Sequence, residues 1–137
     1  MSSPFFVYLF KSLTMLFFSN YKFKETVKGD VLHIMYSGRI RKKEIEEIMN
    51  KIYALLYKHN LQKILIDSLK ADVQLEMAHI MQMAKTHPPI FKRAKTAVVE
   101  KPKNKAQYEL YQTVTENHDL NLKFFNDMKE AEEWLAS

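Results

Sequence analysis

The run Lys123-Phe124-Phe125-Asn126-Asp127-Met128-Lys129-Glu130-Ala131-Glu132-Glu133-Trp134-Leu135 constrains the fold more than any other part of the chain. A short apolar segment, patterned as a strand, passes straight into an aspartate placed to cap a helix, and that helix carries the only tryptophan. Read backwards, the same strand-then-helix unit recurs. Thr96-Ala97-Val98-Val99 is a short buried strand. Asn104 and Gln107 then resemble a capping box that opens a helix through Leu110, Tyr111 and Val114. Before it, Lys63-Ile64-Leu65-Ile66-Asp67 is a continuous apolar strand of the kind buried on both faces. The sequence places Asp72 as the N-cap of the helix that follows, with Val73, Met77, Ile80, Met81 and Ala84 facing inward and Pro88-Pro89 ending it.

The first third of the chain differs. Tyr21 to Val27 alternates apolar and polar residues, the period of a half-buried strand. Lys28-Gly29-Asp30 reads as a tight reversal into a second strand, Val31 to Tyr36, which Gly38 ends. Ile45, Ile48, Met49, Ile52, Leu55 and Leu56 then repeat at helical spacing up to Asn60. The order is strand–strand–helix followed by three strand–helix units. It predicts one α/β domain over residues 21–137, a mixed, mostly parallel sheet of about five strands with flanking helices and an antiparallel first strand.

Residues 1–20 form an apolar leader, densest from Phe5 to Phe18. A spanning helix needs about 20 apolar residues, and this run is shorter and broken by Lys11. Its charge also sits inside the apolar stretch rather than ahead of it, the wrong order for a secretory signal. Three readings stand: an extra element packed on the domain, a contact with a second copy or with a membrane surface, or a segment upstream of a natural start at Met15. Burying such a run is favourable by several kcal/mol, at about 25 cal/mol per Å² of apolar surface. A homodimer using the leader or the edge of the first strand is therefore expected.

Composition mainly excludes. Zero cysteines among 137 residues rule out thiol nucleophiles, thiolate metal sites and disulfides, and fit a reducing, cytoplasmic setting. Two glycines, Gly29 and Gly38, are too few for a phosphate-cradling glycine-rich loop. The net charge of +5 comes mainly from lysine spread along the chain, the densest runs being Arg39 to Lys43 and Lys92 to Lys105, and neither run interleaves the aromatics on which bases stack, which argues against nucleic acid. The five histidines show no metal-ligand spacing. No catalytic motif is present, and no cofactor is implied.

The element order, the Gly29 hairpin, Ile64-Leu65-Ile66-Asp67, Ala97-Val98-Val99 and the closing Phe125-Asn126-Asp127 with Glu130-Ala131 and Trp134-Leu135 resemble the STAS/SpoIIAA-like family, in its branch of small uncharacterised proteins. The resemblance covers Tyr21 to Ala136. It implies a mixed sheet packed by helices, related to the lipid-carrier Sec14 fold, and a regulatory, non-enzymatic role. Its best-known members are anti-sigma-factor antagonists switched by phosphorylation of a Ser or Thr at the start of the second helix. Here that position reads Ala71-Asp72-Val73, without a hydroxyl, and only Ser68 lies nearby. The resemblance thus implies a protein-interaction module without the phosphoswitch. The alternative it leaves open is a carrier or sensor of a small apolar or amphipathic ligand.

In open parallel sheets the ligand crevice lies beyond the carboxyl ends of the strands. The candidates gathered there are Arg39, Asp67, Ser68, Lys70, Asp72, Lys101 and Lys103. Asp67 with Asp72 is read either as an acid–base pair or metal site, or as a strand-end carboxylate and a helix cap. The four cations are read either as an anion site or as a solvated rim. Met77, Met81 and Met83 are read as core or as an adaptable surface for an apolar partner.

Overall fold

The computed structural model describes residues 21–137. The leader, with the readings attached to it, lies outside them. Strands β1 (Tyr21–Lys28) and β2 (Val31–Ile40) form the expected antiparallel hairpin, with Lys28 opposite Val31. Its two-residue loop works because Gly29 takes φ 60, a left-handed conformation open to a residue without Cβ. β2 does not end at Gly38. It passes through that residue, at φ 97, and continues to Ile40. Helix α1 (Lys42–His59) buries Ile45, Ile48, Met49, Ile52 and Leu56 along one stripe, and Asn60 closes it at φ 52, donating its N–H to the Leu56 carbonyl.

β3 (Lys63–Asp67), β5 (Lys95–Val99) and β6 (Asn121–Phe125) run parallel to β2, giving the order β1-β2-β3-β5-β6. A sixth strand, β4 (Ala71–Val73), departs from expectation. β1 fills one edge of β2 along its whole length. On the other edge β3 pairs with Val31–Met35 and β4 takes up again at Gly38–Ile40. Asp72 therefore lies inside a strand, opposite Arg39, and caps no helix. The chain stays extended beyond it, with Gln74 N–H donating to the Ile40 carbonyl at 2.8 Å, and helix α2 (Met77–Thr86) begins only after Glu76. This later start also rotates the inward face. His79, Ile80 and Ala84 are buried, whereas Met77 and Met81 are 49% and 43% exposed.

After α2 the proline pair opens one short turn, α3 (Pro89–Lys92), which buries Phe91. A 3₁₀ turn over Pro102–Asn104 leads into α4 (Lys105–Glu116). The capping box expected there does not form, because the Asn104 side chain donates to Glu100 Oε1 at 3.0 Å. The final helix α5 (Met128–Ala136) is capped as expected, Asp127 Oδ2 accepting from Glu130 N–H at 3.2 Å.

Strand alternation divides the core in two. Ile64, Ile66, Val98, Leu122 and Phe124 face the side on which α1, α3 and α4 add Ile48, Ile52, Phe91 and Tyr111. Leu65, Ala97, Val99 and Phe125 face the other side, where α5 adds Ala131, Leu135 and Trp134. Among the described residues no helix is long and apolar enough to cross a membrane.

Candidate functional site

The carboxyl ends of the strands are tied together by backbone-directed bonds. Ser68 is fully buried: its N–H donates to the Val99 carbonyl at 2.9 Å, its carbonyl accepts from Ala71 N–H at 3.1 Å, and its hydroxyl donates to Tyr36 Oη at 3.2 Å. Asp67 Oδ1 accepts from Leu69 N–H at 3.1 Å, and Asp72 Oδ2 accepts from Gln74 Nε2 at 3.0 Å. Lys101 Nζ donates to the Ala71 carbonyl. The Lys70 carbonyl accepts from Gly38 N–H at 3.2 Å, while its side chain, like those of Arg39 and Lys103, is exposed. Of the residues predicted from sequence, Ser68 and Lys101 thus converge on Ala71, and Arg39 and Asp72 face each other across β2 and β4. Among the described residues no group of three or more His, Cys, Asp or Glu could hold a metal.

Sequence reasoning put Glu100 at a strand end without choosing it as a candidate; it is 6% exposed at the end of β5. Its Oε1 accepts from Lys101 N–H at 2.8 Å and from the Asn104 amide, and its carbonyl accepts from Asn126 Nδ2 at 2.8 Å. It stands at the rim of a cavity of about 100 Å³ between the sheet and helices α1, α2 and α4. The walls are apolar, formed by Ile66, Val98, Ile80, Leu122 and neighbours. Tyr36, Glu100, Asn104, Gln107, Tyr108 and Tyr111 supply the polar groups.

Beside this cavity lies an array the sequence did not disclose, a buried histidine between two half-buried tyrosines. His87, 4% exposed, has Tyr53 Oη 2.7 Å from Nδ1 and Tyr111 Oη 3.1 Å from Nε2, and its ring lies 4.5 Å from that of Phe91. Burial, with Lys92 adding to it, pulls the imidazole pKa from 6.5 to about 4, so the ring is neutral. Burial likewise raises Tyr53 to about 12, and it raises Tyr111 too. The one signal in the residues is a histidine directly before a proline pair, and that reads equally well as a loop. A second, more polar cleft of about 270 Å³ separates α1 from α2. There His79, 8% exposed, sets Nε2 3.6 Å from Glu46 Oε1, and its Nδ1 has no partner among the described residues.

No family model matches the chain, and no curated protein does. Solved structures do. An anti-sigma factor antagonist from Mycobacterium paratuberculosis superposes with a TM-score of 0.62 at 14% identity, covering 85% of this chain and 95% of that one. An uncharacterised protein with a SpoIIAA-like fold from Shewanella loihica superposes at 0.55 with 18% identity, covering 85% and 93%. The fold is SpoIIAA-like. In this SpoIIAA-like frame the sheet, the hairpin and the closing helix α5 agree with the order expected from sequence, and β4 is the added strand.

Proposed function

We propose that this chain is a non-catalytic regulatory module that acts by binding a protein partner. The observation that carries this reading is the state of the strand ends. A general acid or base must reach a substrate proton within hydrogen-bond distance, yet Asp67, Asp72 and Glu100 accept from main-chain and amide groups one to four residues on, and Lys101 is drawn across to the Ala71 carbonyl of β4. The likeness to an anti-sigma factor antagonist supports the same reading. Ser68 offers no phosphoswitch, since a fully buried hydroxyl is closed to a kinase. The surface for the partner is the outer face of α2, where Met77 and Met81 stand one turn apart and exposed.

The test is affinity capture of the full chain from its native cells, set against the double variant Met77→Lys, Met81→Lys. One stoichiometric partner, retained by the parent and lost by a variant with an unchanged melting curve, supports the reading. Turnover on a panel of hydrolase and transferase substrates, abolished by Asp67→Asn, sinks it.

The apolar cavity favours a second reading, a carrier or sensor of a small apolar or amphipathic ligand. Native mass spectrometry separates the two. A retained small-molecule mass supports the carrier, and a clean apo mass under gentle ionisation removes it.

A further inference from the structure

Three phenols line the cavity; Tyr108 gives its proton to Asn126 Oδ1, while Tyr36 and Tyr111 each hold a neighbour in a way that leaves their own proton free. A neutral imidazole has one N–H and one acceptor nitrogen. The 2.7 Å contact between Tyr53 Oη and His87 Nδ1 has the length of an O–H donor, and the 3.1 Å contact between Nε2 and Tyr111 Oη has the length of an N–H donor. On those lengths we assign the proton to Nε2. Tyr111 Oη then accepts from the ring, and its own O–H has no acceptor among the described residues. Tyr36 repeats the arrangement. Ser68 is fully buried, and Tyr36 Oη is the acceptor of its hydroxyl proton, so Tyr36 cannot give its own proton back without stranding that of Ser68. Both phenols line the same cavity. Both are held neutral by burial, Tyr36 with its pKa pushed up to about 12.

The third determinant is charge. The Glu100 carboxylate lines the cavity with them and is close enough to oppose ionisation of Tyr36. A second anion placed there would be repelled across a poorly hydrated gap. The fourth is size. An apolar cavity of about 150 Å³ holds a benzene, so about 100 Å³ admits a five-membered ring or a short branched chain.

We infer that this cavity binds a small, uncharged apolar molecule carrying one hydrogen-bond acceptor, a ketone or equivalent carbonyl compound, whose oxygen takes the free protons of Tyr36 and Tyr111. The inference rests on the ligand reading above and adds the chemical class of the guest. It also accounts for the two buried phenols, which turn an apolar void into one that distinguishes carbonyl from hydrocarbon.

The experiment uses the full chain with labelled Ile, Leu and Val methyl groups and three probes of one shape. Cyclopentanone carries the acceptor, methylenecyclopentane replaces the oxygen with a carbon, and cyclopentanecarboxylate adds the charge. Cyclopentanone is expected to shift the methyls of Ile66, Val98 and Leu122 and to leave Leu65 and Val99, on the opposite face, in place. Methylenecyclopentane should bind about 25-fold more weakly, about fivefold for each of the two net hydrogen bonds it forgoes, and the carboxylate more weakly still. Tyr111→Phe should weaken cyclopentanone about fivefold, the share of one net hydrogen bond, and leave the alkene unchanged.

Should that variant unfold, the infrared carbonyl stretch of cyclopentanone bound to the parent protein decides. A frequency below that in alkane solution supports the phenol bonds, and an alkane-like frequency overturns them. Equal binding of ketone and alkene overturns the acceptor claim while the ligand reading stands. Binding of neither removes both, and tighter binding of the carboxylate overturns the charge argument.

Discussion

Two faces of one sheet show two ways of packing the same strands. β5 makes the contrast within consecutive residues: Thr96 and Val98 point to the many-helix face, Ala97 and Val99 to the face of α5. On the α5 side small residues meet across the interface, with Ala131 and Leu135 set against Leu65, Ala97 and Val99, and all five are nearly or wholly inaccessible. The absence of bulk at Ala97 and Ala131 lets helix and sheet approach closely. On the other side long and aromatic residues reach in from several helices, and the space between them is bounded by tyrosine, asparagine, glutamine and glutamate as well as by hydrocarbon. Close packing rests on small, featureless partners. A void that can discriminate between guests needs large side chains with polar tips, held in place by bonds to one another.

The contrast can be broken first by truncation. Leu135→Ala removes a side chain 2% exposed from the α5 face and should cost about 2–5 kcal/mol. Ile80→Ala, at 3% exposure but already bordering the void, should fall at the low end of that range, roughly 2 kcal/mol, because fewer contacts are lost. Denaturant midpoints on both variants measure the difference, and equal losses would mean that the two faces are packed alike.

Acid sharpens the comparison next. His87 sits in the core of the many-helix face with its folded pKa depressed from 6.5 to about 4. Between those values the unfolded chain binds a proton that the fold refuses. Stability should therefore be whole above pH 6.5, decline as pH falls through the window and level off below about 4, a loss of about 3 kcal/mol in all. Chemical denaturation across that range should show the slope, and His87→Phe should flatten it to the smaller remainder contributed by groups such as the partly exposed His33, whose pKa burial also lowers. An unchanged slope in the variant would remove His87 as its source.

The smallest effect lies at the helix starts. Asp127 gives α5 a side-chain cap, whereas α2 and α4 have none. Asp127→Ala should cost about 1 kcal/mol, read as a shift in the thermal midpoint. Glu76→Ala at the start of α2 should move it hardly at all.

Most of the frame was legible in the residues. Gly29 marked the hairpin, the apolar stripe of α1 ran to Asn60, and Asp127 with Glu130 announced the last helix, because each of these signals is local and has few competing explanations. β4 was hidden for the opposite reason. Ala71-Asp72-Val73 is shorter than any period, and an aspartate ahead of apolar residues reads as a cap unless one knows that β2 extends through Gly38 and presents a vacant edge. The candidate site was half visible. Position on the sheet found Ser68 and Lys101, but Tyr36 and the Tyr53–His87–Tyr111 array depend on contacts between residues 24 to 34 positions apart, which no window of sequence contains.

The short strand β4 carries a kinetic consequence. It joins the sheet through Gly38–Ile40 alone, and the backbone bonds flanking it are Gly38 N–H to the Lys70 carbonyl at 3.2 Å and Gln74 N–H to the Ile40 carbonyl at 2.8 Å. Val73 and Leu75, at its end and just beyond, form part of the cavity wall. So small an element peels away at far less free energy than the whole domain, and when it does the wall opens while the rest of the sheet stays paired. The amides of Gly38 and Gln74 should then exchange with deuterium ahead of those in β3 and β5. The same opening would loosen one wall of a pocket that already has a mouth at Glu100, so the hold on a guest depends in part on three residues of backbone.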